Sequence, residues 1–341
     1  MESPTHKLLG HLPEIQEIVT VPKGYLKKPS AILQLRRQLR AWKPDVVLDP
    51  QSLTKSAFLG WLSGAPVRIG LAGSHQKELS GWLNNVHVPM AAGTTHLLDR
   101  TLQLLPAITK YHPPAVASTS DLAGLGQPAN SGAIAANQYP HTRQTSRQTF
   151  RWRLPVPEAD SQWAQDYLVS QGLSAPAVIN PGASWASKRW VPQRFAQVAK
   201  RLKEQRGRDS LVTWAGAEEK AWAEEIAHGS RGAARVAPDT TLLQLCALCQ
   251  QASLFVGCDT GPMHMAAAVG TPCVVLFGPT RPEDSGPYGQ LHYGLQAWYQ
   301  SGGARERRRA ENEAMRDISI EQVVGACQSV LDATQQRREA G

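Results

Sequence analysis

The chain has 341 residues, 42% of them hydrophobic, with a formal net charge of +8. That length suits two domains each burying its own core, and the apolar fraction excludes a disordered chain. No run of about 18 apolar residues is present to span a membrane, and Met1-Glu2-Ser3-Pro4-Thr5-His6-Lys7 lacks the apolar stretch of a secretory signal.

In chain order, Ile32 to Trp42 reads as a helix, Asp45 to Asp49 as a short buried strand and Ser52 to Leu62 as the next helix. Val67 to Gly70 reads as a strand and Leu97 to Leu105 as an amphipathic helix. From Pro113 to Thr149 the sequence turns rich in Pro, Ser, Ala, Gly, Gln and Thr and loses its periodicity, as a flexible linker or surface insertion does. Alternation resumes with a strand at Ala177 to Asn180, a helix at Pro192 to Gln205, a strand at Ser210 to Trp214 and a helix at Glu218 to Ala227. Leu242 to Gln251, Leu254 to Val256, Met263 to Val269 and Cys273 to Phe277 continue it, and Ser319 to Ala333 is a last amphipathic helix. The pattern implies an α/β protein of two Rossmann-like units, 1–112 and 151–341, joined through 113–150.

Five scattered cysteines, an odd number without regular spacing, point to a reducing cytoplasm. Cys246 and Cys249 are spaced as a metal or redox pair, but they lie in an apolar helical run and read as buried structural residues. The positive charge is compatible with nucleic acid, an anionic membrane surface or phosphorylated ligands. It is dispersed rather than interleaved with aromatics on one face, so nucleic acid is not expected. Its one cluster, Arg305-Glu306-Arg307-Arg308-Arg309, reads as a solvated loop or helix face, with contact to an anionic lipid surface as the sharper alternative.

The densest chemical signal lies at Phe255 to Ala268. An apolar run ends at Asp259-Thr260-Gly261-Pro262, and a helix of small residues follows. Asp259 or Thr260 can cap that helix, Pro262 suits its first turn, and Gly261 allows close approach of a ligand to the backbone. Such a terminus presents free amides and a positive dipole end to a phosphate. Asp259 reads either as the cap or as an acceptor for sugar hydroxyls, and His264 as a buried, hydrogen-bonded imidazole rather than a catalyst. A second loop, Asn180 to Trp190, follows a strand end and offers the hydroxyls of Ser184 and Ser187 and the mobile charge of Lys188. Glu218 and Glu219 stand at another helix start. They serve either the helix dipole or a ribose diol, and the pattern does not separate them.

These residues resemble glycosyltransferase family 9, the ADP-heptose:lipopolysaccharide heptosyltransferases. The likeness is carried by Asn180-Pro181-Gly182-Ala183 with Lys188-Arg189-Trp190, the acidic turn at Glu218, and Asp259-Thr260-Gly261-Pro262 with His264. Leu276-Phe277-Gly278-Pro279-Thr280, Gly286-Pro287-Tyr288-Gly289 and, in the first half, Asp49 to Ser56 extend it, so that it spans Leu8 to Ala333 apart from the insertion. The resemblance implies a GT-B architecture, two Rossmann-like domains facing a central cleft, with the donor on the second domain and the acceptor on the first. It implies inverting, metal-independent transfer of heptose from ADP-heptose to the lipopolysaccharide inner core, without a cofactor. The setting it implies is cytoplasmic and peripheral to the inner membrane. Carried onto this chain, Lys188 and Thr260-Gly261-Pro262 would hold the donor diphosphate, assisted by Ser184, with His264 beside them. Glu218 would bind the ribose and Asp259 would orient the heptose. Lys55 would face the anionic acceptor, or else is a solvated lysine at a helix start.

Against the family pattern, the opening strand and the Gly-Asp loop that carries the candidate catalytic base are missing. The chain opens near what reads as the end of a later strand, Ile15 to Pro22, and Asp45 and Asp49 belong to later strands still. Either the start codon is placed too late, which the intact donor motifs favour, or the chain is a truncated, inactive nucleotide-sugar-binding relative.

Overall fold

The computed structural model describes residues 6–111, 143–144, 154–289 and 291–339. They divide into two compact units, one formed by residues 6 and 15–111 and the other by residues 7–14 with 143–144, 154–289 and 291–339.

The first unit holds three parallel strands, β1 (Val46–Asp49), β2 (Val67–Leu71) and β3 (Val86–Val88), in the order β1-β2-β3. Ile69, Leu71 and Leu104 form its buried core. Helix Pro29–Ala41 opens on a proline, which costs nothing where the amide would be unpaired. Helix Thr54–Ser63 ends at Gly64 with φ 77, the left-handed closure glycine supplies without strain. Asp49 is buried at the end of β1, where its carboxylate accepts hydrogen bonds from the Ser52 amide and from Asn84 Nδ2, both at 3.0 Å. Ser52 Oγ in turn accepts from the Leu71 amide at 2.8 Å. Asp49 therefore ties the loops after β1 and β2 together.

Two expectations fail here. Ile15 to Pro22 joins no strand ladder among the described residues. The Glu17 carboxylate accepts from Gln38 and Trp42, which draws the segment to the Pro29–Ala41 helix rather than to a sheet edge. The helix expected over Leu97 to Leu105 is two, Leu97–Leu102 and Leu105–Tyr111. Pro106 has no amide to continue the first helix and is tolerated only in the opening turn of the second.

The second unit is a seven-stranded sheet in the order β4-β10-β9-β8-β5-β6-β7. Its strands are β4 (Arg143–Gln144), β5 (Ala177–Asn180), β6 (Ser210–Val212), β7 (Ala234–Val236), β8 (Leu254–Cys258), β9 (Cys273–Phe277) and β10 (His292–Gln296). All pairings are parallel except β4 with β10. β4 falls within the stretch expected to be linker or insertion, the remainder of which lies outside the described residues. β5, β8 and β9 are buried throughout, because helices cover both faces. Phe195, Ile226, Val323 and Cys327 pack on one face and Leu245, Cys249, Met263 and Phe255 on the other. Leu8, from the short helix His6–Leu9, joins the second of these layers. The five cysteines are free and buried. No helix among the described residues is long and apolar enough to cross a membrane.

Candidate functional site

The strand order of the second unit reverses between β5 and β8. From β5 the chain proceeds to β6 and β7 on one side, and from β8 to β9 and β10 on the other. Two loops therefore diverge at the carboxyl ends of a central strand pair and leave a crevice, which is where open α/β sheets bind ligands. The strands approach closely there. A Cβ on Gly257 would stand 2.8 Å from the Asn180 carbonyl oxygen and 3.0 Å from the Phe255 ring, so the position admits only glycine.

Lys188, from the short 3-10 turn Ala186–Lys188 after β5, reaches over this point to Asp259, just beyond β8. Its Nζ donates to Asp259 Oδ2 at 2.7 Å, with the two side chains 12% and 6% exposed. The ammonium also lies 4.5 Å from the centre of the Trp185 ring, which Arg308 approaches to 4.9 Å. Ser285 Oγ donates to the same carboxylate oxygen at 3.4 Å. His264 Nε2 stands 3.9 Å from Asp259 Oδ1, its side chain 51% exposed rather than buried as the sequence suggested. Crowding by the surrounding protein lowers the His264 pKa from its ordinary value; Asp259 opposes that and Lys188 adds to it.

The helix Gly261–Ala268 begins at the crevice with Thr260 as its N-cap residue and Pro262 in its first turn. Neither Asp259 nor Thr260 caps it, contrary to the capping expectation: no side-chain cap bond is made. Asp259 is held by Lys188 instead, and Thr260 Oγ1 is buried without a hydrogen-bond partner. Asn180 Oδ1 at the end of β5 and Thr280 Oγ1 beyond β9 are likewise buried and unpaired. An unmade hydrogen bond on a buried polar atom costs roughly 1–3 kcal/mol. Three such atoms at the carboxyl ends of three neighbouring strands, beside the open amides of a helix start, are suited to a polar, anionic ligand.

The acids at the start of helix Gly216–Gly229 separate. Glu219 Oε2 accepts from the Ala215 amide at 2.9 Å, and its carboxylate lies where a Cβ on Gly182 would meet it at 2.3 Å. Burial raises its pKa, while the Ala215 amide and Arg189 oppose the shift. Glu218, 66% exposed, pairs with Arg189 at 3.2 Å, and that guanidinium stacks 4.7 Å over Trp222. Ser184 is exposed in the same loop, whereas Ser187 is buried and donates to the Arg307 carbonyl at 2.7 Å. Lys55 is exposed in the first turn of helix Thr54–Ser63 in the first unit.

Trp185 and Ser285 join this neighbourhood without having been singled out, and Asn180, Thr280 and Arg308, named in the sequence only within longer motifs or the basic cluster, join it without a role having been read for them. Position at or beyond a strand end was a usable signal for Asn180 and Thr280; the other three arrive through tertiary packing. The basic cluster is helical from Ala304 to Arg309, and Arg307 donates back to the Gly302 and Pro279 carbonyls rather than standing free in solvent.

A doubly wound second unit, with a lysine–aspartate pair and a helix start at its switch point, defines an α/β protein whose ligand crevice lies at the carboxyl ends of its central strands. The family is settled by comparison: the pattern of glycosyltransferase family 9 (heptosyltransferase) matches residues 32–314, and the chain belongs to that family. Its α/β fold is of the GT-B class. It is 28% identical over 267 residues to lipopolysaccharide heptosyltransferase 1 of Pseudomonas aeruginosa, covering 76% of this chain and 62% of that protein. It is 26% identical to lipopolysaccharide heptosyltransferase 3 of Escherichia coli, covering 96% of this chain and 87% of that one. The solved ADP-heptose lps heptosyltransferase II of E. coli superposes with a TM-score of 0.63 at 21% identity, covering 98% of this chain and 88% of that chain.

Proposed function

We propose that the protein transfers heptose from ADP-heptose to the inner core of lipopolysaccharide, with inversion and without a metal, at the cytoplasmic surface of the inner membrane. The observation that carries the reading is the Lys188–Asp259 pair at the β5/β8 switch point, facing the Gly261–Ala268 helix start. The names of the relatives supply the donor and acceptor.

In this reading the diphosphate accepts hydrogen bonds from the amides around Thr260 and Gly261 and from the Lys188 ammonium, with Ser184 assisting and His264 alongside. The acceptor hydroxyl oxygen forms a bond to the anomeric carbon of the heptose. The bond from that carbon to the phosphate oxygen breaks on the opposite face, and its electron pair leaves with ADP. The hydroxyl proton passes to a general base on the acceptor side. Charge accumulates on the departing diphosphate, and donors fixed in advance stabilise it more in the transition state than in the ground state. Lys188 supplies the positive charge that a metal ion would otherwise bring. Asp259, released from Lys188 by the phosphate, becomes an acceptor for heptose hydroxyls, and Glu218 turns from Arg189 to the ribose diol.

The test is ADP release when the full chain meets ADP-heptose and a deacylated core acceptor, with competition by ADP, UDP and GDP. Tight ADP binding with no release under any condition would overturn transfer in favour of a nucleotide-sugar-binding protein. Absence of ADP binding would overturn both.

A further inference from the structure

The charge of the chain is unevenly divided. Residues 15–111 hold twelve Lys and Arg against five Asp and Glu, a net +7, whereas residues 154–339 hold nineteen against twenty, a net −1. Within the first unit several of those cations gather with exposed apolar side chains around one helix start. The Tyr25 hydroxyl donates to the Lys55 carbonyl at 2.7 Å, which brings the 3-10 turn Tyr25–Lys27 against the first turn of helix Thr54–Ser63. From the other side, the Leu79 amide donates to Thr54 Oγ1 at 3.1 Å and the Lys77 amide to the Ser52 carbonyl at 3.1 Å. The short helix Ser80–Leu83 follows directly.

Three large apolar side chains consequently stand in water: Leu26 at 40% exposure, Leu79 at 59% and Trp82 at 89%. The exposed lysines 28, 55 and 77 flank them, with Glu78 the acid among them. An almost fully exposed tryptophan beside a leucine and a lysine rim is poorly suited to water, and suits a boundary with an apolar inside and an anionic surface.

We propose that this surface docks the protein on an anionic lipid bilayer, with Trp82 and Leu79 entering the headgroup region and the lysines pairing with lipid phosphates. Leu26 and Lys28 reach it from the segment before β1, and its other members lie in the segments that follow β1 and β2. The inference rests on the proposed membrane-borne acceptor for its purpose, but not for its test, which uses vesicles that contain none.

The experiment is co-sedimentation of the full chain with phosphatidylglycerol/phosphatidylcholine vesicles against pure phosphatidylcholine. Binding is expected only with the anionic vesicles and is expected to fall steeply in 0.5 M salt. One lysine near such a surface contributes about 1 kcal/mol, so Lys28→Glu is expected to weaken binding by at least about fivefold. Trp82→Asp is expected to abolish it. Trp61→Ala, six residues after Lys55 on helix Thr54–Ser63 and about 9 Å along it, is the control and is expected to bind as the parent does. Trp82→Asp keeps its ADP release with a deacylated, soluble acceptor, which separates this inference from the transfer reading. Equal binding to both vesicles, binding untouched by Trp82→Asp, or equal loss with Trp61→Ala would overturn the proposal. So would self-association of the parent that Trp82→Asp removes, which would assign the surface to a second copy of the chain.

Discussion

Removing the Lys188 ammonium tests the switch-point site most directly, because the pair it belongs to has both a structural and a binding role that can be separated. Lys188 and Asp259 meet at 2.7 Å with side chains 12% and 6% exposed, so screening by water is weak. Lys188→Ala leaves a buried carboxylate uncompensated, a loss of about 3–5 kcal/mol for pairs of this kind. In a domain of this size, with Tm moving about 2–4 °C per kcal/mol, that corresponds to a fall of roughly 6–20 °C. Replacing both partners, Lys188→Ala with Asp259→Ala, removes the stranded charge, and most of the lost stability is expected to return. Affinity for ADP behaves differently. A charge-assisted hydrogen bond to a phosphate contributes roughly 1.5–3 kcal/mol, so both variants are expected to bind ADP about 10- to 150-fold more weakly. Thermal melts and titration calorimetry on the parent, the two single variants and the double variant complete the cycle. ADP affinity unchanged in Lys188→Ala, or restored together with stability in the double variant, would refute the assignment of Lys188 to the diphosphate.

Further outcomes follow from local geometry. Gly257→Ala places a methyl 2.8 Å from the Asn180 carbonyl, so melting is expected to show a loss of about 2 kcal/mol or more, accompanied by weaker ADP binding as β5 and β8 separate. His292 is buried and its pKa is depressed to about 4 by burial, with a Tyr288 backbone hydrogen bond opposing. Its neutral form is the one that folds, so its contribution is complete above pH 6.5 and lost as the pH falls from 6.5 to 4. Across that window the parent is expected to lose more stability than His292→Gln, and parallel pH profiles would refute it. Glu219 has the opposite sign. Its pKa is raised above 4.5 by burial, so its contribution is complete below that value and lost as the pH rises through the shifted pKa. Glu219→Gln is therefore expected to gain stability relative to the parent on going from pH 4 to pH 7 in melts. The free cysteines are buried, and burial pushes the Cys246 thiol up to about 12. A thiol reagent is expected to label none in the native protein and all five after denaturation.

Much of the second unit was legible because its signals are local. Val178 and Ile179, or Val274 and Val275, make continuous apolar runs that only strands covered on both faces produce, and β5 and β9 lie where those runs lie. The turn at Asp259 to Pro262 announced a helix start, which Pro262 opens although the cap read for Asp259 or Thr260 is not made. The partners of the titratable groups were not legible. Glu218 and Glu219 are neighbours in one acidic turn, and only the approach of Gly182 from another loop separates them. Asp259 carries the residue type of a cap, yet Lys188, 71 positions away, takes its carboxylate. Leu8 reads as part of the first half and packs in the core of the second, which no local pattern encodes. The weakest reading, Ile15 to Pro22, had the composition of a strand, but composition does not supply a neighbouring strand to pair with.

The lysine–aspartate pair has a consequence for discrimination. Because Lys188 already carries an internal counter-ion, an incoming anion competes with a carboxylate 2.7 Å from the same nitrogen. Chloride, or a monoester with one feebly bound oxygen, offers too little to displace it. Under the proposed function a pyrophosphate would, since its bridged charges would engage the ammonium and the helix amides together, and the liberated carboxylate would then be free to inspect the hydroxyls of whatever sugar the pyrophosphate carries. Admission and inspection would thus be coupled through one proton-bearing nitrogen, and simple inorganic ions in the cell would be poor inhibitors.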